Sequence, residues 1–171
     1  MKLKLIVVGI IVGALSLWFF SFTLEKTNEQ SFCVSCHEME IPKERLMTSF
    51  HGKNKLGIVA ECSDCHVPKP FFAKMARKIS AAREVWGHML GIIDTPEKYE
   101  AHKSVMRERE LGRMIANDSA ECRNCHNSEV WDLDDQGRKA RKEHESMADS
   151  GKTCVSCHDD IAHAIEESFD M

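Results

Sequence analysis

Cys33-Val-Ser-Cys36-His37 is matched by Cys62-Ser-Asp-Cys65-His66, Cys122-Arg-Asn-Cys125-His126 and Cys154-Val-Ser-Cys157-His158, and these four units use all eight cysteines of the 171-residue chain. Two thiols two residues apart, followed at once by an imidazole, are what covalent haem attachment needs. The sulfurs add across the two vinyl groups of one porphyrin, and the histidine lies under the ring to bind iron. Disulfides and zinc are the competing uses of paired cysteines, but neither requires a histidine directly after the second cysteine, four times over. The spacing therefore predicts four covalently bound c-type haems, held at Cys33 and Cys36, Cys62 and Cys65, Cys122 and Cys125, and Cys154 and Cys157.

The composition agrees with a fold built on cofactors. Hydrophobic residues make up 43% of the chain, yet much of that content lies in the first two dozen positions, so the remainder is poor in ordinary core formers. Four flat apolar macrocycles would serve as the missing centre, and the chain without them should hold little tertiary structure. A formal net charge of -4 excludes a nucleic-acid binder driven by overall positive charge.

Iron in a closed site takes two axial ligands, and His37, His66, His126 and His158 provide one each. Five histidines remain: His51, His88, His102, His144 and His163. His51 lies between the first two motifs, His144 shortly before the last and His163 just after it. These three are the preferred distal ligands, ahead of His102 and His88, and sequence does not say which serves which iron. Met39, two residues beyond His37, places a thioether within reach of the first haem, where a methionine would raise the potential relative to a histidine pair.

Toward the amino terminus, residues 5–22 carry no charge and include Trp18 and several phenylalanines. As a helix this run spans roughly 27 Å, close to the hydrocarbon thickness of a bilayer. A cleaved signal peptide is the rival reading, with Val12-Gly-Ala14 as a weak cleavage pattern, but the apolar run continues unbroken past it. The expected organisation is an uncleaved anchor over residues 1–24 and a haem domain over 25–171. Lys2 and Lys4 precede the span, which places the amino terminus in the cytoplasm and the haem domain across the membrane.

Between the second and third motifs, residues 67–121 read as helical. Phe72, Met75, Ile79, Ala82, Trp86, Met89 and Ile93 form an apolar stripe at helical spacing, flanked by Lys69, Lys74, Arg77, Lys78 and Arg83. Such a basic amphipathic helix suits a membrane surface, or a stripe packed on haem with solvated lysines beside it. A second helix should start at Thr95-Pro96-Glu97 and run to about Ala116, and residues 132–137 read as a loop before a basic helical stretch. No strand pattern stands out, so the fold class is mainly α. The acidic tail, Glu166, Glu167 and Asp170, is a candidate docking element.

The sequence resembles the NapC/NirT group of tetrahaem quinol dehydrogenases, including NrfH-like subunits. The likeness rests on the single anchor and on Phe32-Cys-Val-Ser-Cys-His-Glu-Met39, Cys62-Ser-Asp-Cys-His-Val-Pro68, Asp94-Thr-Pro-Glu-Lys98, the stretch 117–126 and the stretch 151–163. It implies a single-pass protein of the bacterial inner membrane with its haems in the periplasm. Such a protein takes electrons from menaquinol or ubiquinol and passes them to a periplasmic reductase in nitrate, nitrite or similar anaerobic respiration. A second copy of the chain is a further candidate partner.

The resemblance also implies that Met39 ligates the first haem and can displace His37 from that role, leaving open which of the two binds, and that the other sites are mostly bis-histidine. It places a lysine and an acidic residue at the quinol site, best matched here by Lys78 and Glu84. Glu84 would act as general base for the quinol hydroxyl, and Lys78 would orient the oxygen and stabilise negative charge. Six residues apart on a helix, the two do not share a face. The alternative function is a haem reductase acting itself on nitrite or hydroxylamine through an open coordination position.

Overall fold

The computed structural model describes residues 1–163, and among these the chain forms nine α-helices and three 3-10 turns with no strand. The expected docking tail at Glu166, Glu167 and Asp170 lies outside the described residues. The first helix, α1 (Lys2–Lys26), buries none of its residues and contains an 18-residue window of mean hydropathy 2.5. Among the described residues it is the one helix long and apolar enough to cross a membrane. Its far end is built as an aromatic and then a polar boundary. Trp18 stacks on Phe22 one turn later with ring centres 5.6 Å apart, and Lys26 lies over Phe22 while pairing with Glu29 at 2.6 Å.

Four short elements each carry the first cysteine of one pair. They are α2 (Gln30–Cys33), α4 (Cys62–His66), α7 (Ala120–Arg123) and the 3-10 turn Cys154–Ser156, and α3 (Glu40–Thr48) follows the first motif. α2 packs on α4 and α4 on α7, so the first three motifs form a chain of neighbours. The fourth joins through a backbone turn. Asp118 and Ser119 both adopt positive φ, 55° and 51°, which non-glycine residues take only when neighbours hold them there. Ser119 is fully buried, its N–H donates to the Met114 carbonyl at 2.7 Å, and its hydroxyl accepts from the N–H of Val155 at 3.3 Å. The turn thus ties the third motif to the fourth.

Two long helices support this row of motifs: α5 (Phe71–Met89) and α6 (Pro96–Ala116). α5 ends where Gly91 takes φ +72°, a left-handed conformation that a Cβ would strain. The Ile92 N–H bonds the Gly87 carbonyl at 2.8 Å and the Gly91 N–H bonds the His88 carbonyl at 2.9 Å, satisfying the last carbonyls of the helix. α6 then starts as its sequence predicts. The Thr95 hydroxyl accepts from the Lys98 N–H at 3.3 Å, Pro96 occupies the first turn, and Lys98 reaches back to Asp94 at 2.7 Å. The basic stretch after the 132–137 loop forms α8 (Arg138–Glu145), followed by α9 (Met147–Ser150).

Side chains bury little apolar surface. Leu46, Met114 and Val155 are the buried large hydrophobics among the described residues, whereas Phe72, Ile79, Trp86 and Leu90 stand open. The stripe of α5 therefore does not pack on protein; it is the basic residues Lys74, Arg77 and Lys78 that turn inward and are half-buried. Ordinary amphipathic packing would have reversed this arrangement.

Candidate functional site

Every motif histidine faces one other histidine. The ring centres of His37 and His88 are 6.2 Å apart, and those of His51 and His126, His66 and His163, and His144 and His158 are each 6.1 Å apart. A metal–imidazole bond is about 2 Å and the ring centre lies about 1 Å behind the nitrogen, so two imidazoles trans on one metal place their centres about 6 Å apart. The four pairs fit that requirement, and each pair includes the histidine that follows a cysteine pair. The residues present therefore suit four haem irons with two nitrogen ligands each.

The pairs draw on distant parts of the chain. His51 sits just after α3, in a turn where Gly52 packs so closely against the Leu46 carbonyl and Met47 that no Cβ fits there. His88 comes from the last turn of α5, His144 from the end of α8, and His163 from the last described residue. His51, His144 and His163, chosen from sequence, all face motif rings. His88, placed behind His102 by the sequence reading, faces His37, while His102 is exposed and donates from Nδ1 to the Lys98 carbonyl of its own helix at 2.8 Å. Met39 is half-buried at the end of the 3-10 turn His37–Met39.

The far nitrogen of several rings is held in turn, which frees Nε2 for metal and fixes the ring plane. His88 donates from Nδ1 to Glu38 Oε1 at 2.6 Å, His66 to Glu110 Oε1 at 2.9 Å, and His144 to Gln136 Oε1 at 2.6 Å. Trp131 packs against His144 with centres 4.9 Å apart. Sequence reasoning missed Glu38, Glu110 and Gln136. Glu38 lies inside a motif already read for its histidine, and the other two are far in sequence from the rings they hold or lie in a loop.

Around the second pair runs a network of charges. Arg113 reaches Glu110 at 2.8 Å and Glu121 at 2.7 Å, and Arg77 reaches Glu110 at 3.4 Å. Burial pushes the Glu110 carboxyl up, but His66, Arg113 and Arg77 outweigh it and hold it at about 2. Glu121 is likewise raised by burial and more than recovered by Arg113 and Asn117. Burial, then the neighbouring His66, pushes the His163 imidazole down to about 4.

Lys78 and Glu84 are not brought together. The Lys78 ammonium donates to Thr27 Oγ1 at 2.7 Å, at the end of α1, and burial followed by repulsion from Lys74 pulls its pKa down. Glu84 turns instead to α6, where Oε1 accepts from Arg109 at 3.0 Å while Oε2 is buried without a hydrogen-bond partner.

Comparison with known proteins gives the same picture. A model of the N-terminal region of the NapC/NirT cytochrome c family matches residues 1–168. The chain is 47% identical over 163 residues to the cytochrome c-type protein NapC of Haemophilus influenzae, covering 95% of this chain and 81% of the relative. It is 43% identical over 166 residues to the denitrification system component NirT of Stutzerimonas stutzeri, covering 96% and 83%. A putative tetraheme cytochrome c-type protein of Allochromatium vinosum is 42% identical over 151 residues, covering 88% and 82%. No solved structure matches. With the family model covering residues 1–168 and relatives more than 40% identical over nearly the whole chain, this chain belongs to the NapC/NirT cytochrome c family.

Proposed function

We propose that the protein oxidises membrane quinol beside its first haem site and passes the electrons through four haems to a periplasmic reductase. One observation carries the quinol end of this reading: Lys78, half-buried on α5, bonds Thr27 at the close of the apolar helix at 2.7 Å, next to the motif that begins at Cys33. An ammonium at that depth would meet a quinol head at the lipid boundary, and Phe72, Ile79 and Trp86 of the same helix are exposed.

The haem irons, when bound, supply one-electron exchange, and the chain decides where each is held. In this reading His37 and His88 hold the first, His66 and His163 the second, His126 and His51 the third, and His158 and His144 the fourth. His88, not Met39, completes the first site, because its ring faces His37 and is oriented by Glu38. With both sides of each iron taken, no position stays open for nitrite or hydroxylamine, which favours an electron carrier over a reductase acting by itself. The packing order of the motifs, first on second, second on third and third on fourth, gives electrons a continuous path away from the membrane.

Quinol oxidation also releases protons. Lys78 orients the quinol oxygen, and Glu84, with Oε2 unpartnered, is the carboxylate proposed to accept one of them. A Glu84→Gln variant that keeps four haems but oxidises quinol more slowly assigns that role, and an unchanged rate removes it. The whole reading is tested in liposomes. Quinol should reduce the haems of the full chain, and reduction by soluble donors alone would overturn it. The reading further places α1 across the inner membrane with residues beyond about 24 in the periplasm, which protease accessibility in spheroplasts checks.

A further inference from the structure

Glu38 is 2% exposed, one of the two buried carboxylates among the described residues. Its Oε1 accepts from His88 Nδ1 at 2.6 Å, and its Oε2 is buried with no hydrogen-bond partner. Its ion-pair partners are the two imidazoles of the first pair, His88 at 2.6 Å and His37 at 3.8 Å, with no lysine or arginine within range among the described residues. The other rings differ. The carboxylate on His66 is matched by Arg77 and Arg113, the group on His144 is the neutral amide of Gln136, and His51 Nδ1 is buried without a partner.

We propose that Glu38 is a positioning residue that sets the first haem apart electrically: its uncompensated carboxylate orients His88 and gives it anionic character. The inference rests on the reading that His37 and His88 hold the first iron. A carboxylate on the far nitrogen makes an imidazole a stronger donor, and a buried negative charge beside a metal favours the oxidised, more positive state. Low surrounding dielectric magnifies this when no cation screens it. At the second site two guanidinium groups offset the same effect, so the first haem should have its potential lowered most by its surroundings.

The test is a spectroscopic redox titration of the full chain with all four haems. Glu38→Gln keeps an oxygen acceptor for His88 but removes the charge, and should raise one midpoint by about 59 mV, a tenfold shift in a one-electron reduction equilibrium. Glu38→Asp should return that midpoint toward the parent value. Should the Gln variant fail to assemble, Gln136→Glu supplies the converse, placing a carboxylate on His144 and lowering a midpoint. The drop should be less than tenfold, because Arg138 and Arg141 line the same pocket. His88→Leu separates the two ways of failing. If that variant leaves every haem's spin state unchanged, the ligand reading has failed. If it converts one haem while Glu38→Gln, or Gln136→Glu in its place, moves no midpoint, Glu38 has no electrical role.

Discussion

Glu38 and Glu110 perform the same service for two histidines, accepting from His88 at 2.6 Å and from His66 at 2.9 Å, but in different charge surroundings. Glu110 sits between Arg77 and Arg113, whereas the ion-pair partners of Glu38 are the imidazoles of His37 and His88. The second site is therefore a neutralised cluster whose charges brace the packing of α5 against α6 and of both against the third motif. The first site, close to the end of α1, carries charge without contributing such a brace.

The largest expected effect removes the attachment point of the second site. Replacing Cys62 and Cys65 by Ser prevents attachment at the second motif, and the domain should lose cooperative thermal unfolding, because Leu46, Met114 and Val155 cannot form a core by themselves. Calorimetry of the purified variant checks this, and a sharp transition near that of the parent would contradict it.

Arg113→Ala attacks the brace alone. It strands Glu110 and the Glu121 side chain, which is 1% exposed, with one cation fewer, and should cost about 2 to 3 kcal/mol in denaturant titrations. The same variant should make the second site more like the first and lower its midpoint.

Acid probes the neutralised cluster without mutation. The folded Glu110 carboxyl is held at about 2, below its ordinary value, so its contribution to stability is complete above the unfolded pKa of about 4.3 and is lost as pH falls toward about 2. In Arg113→Ala that acid limb of the stability profile should be shorter and end at higher pH, because the folded pKa moves back toward the unfolded one. Gly52→Ala is more local, since a Cβ there meets the Leu46 carbonyl and would push the neighbouring His51 away from His126. Absorption and EPR spectra should show one altered haem and three unaltered. The smallest effect belongs to Arg45→Ala, whose pair with Glu100 at 3.1 Å is partly exposed and worth under about 1 kcal/mol.

Much of this organisation was legible in the sequence because haem attachment is a local code. The cysteine pairs and their histidines announce themselves, and the apolar first helix and the Thr95 cap follow from composition and spacing. The distal side of each site is not local. His88 and His102 look alike as helical histidines, and only the fold shows that one reaches His37 while the other bonds its own helix. The apolar stripe of α5 was readable as a face, but its direction was not, because the inward turn of Arg77 depends on Glu110, thirty-three positions later. Lys78 and Glu84 were paired by resemblance, and the helix sends them to Thr27 and Arg109 instead.

The most direct measurement is a low-temperature EPR and near-infrared magnetic circular dichroism spectrum of the oxidised protein with all haems attached. Four low-spin irons with only the charge-transfer signature of paired imidazoles are expected. A high-spin iron, or a histidine–methionine signature that disappears in Met39→Leu, would contradict the facing pairs as the ligands of the four haems.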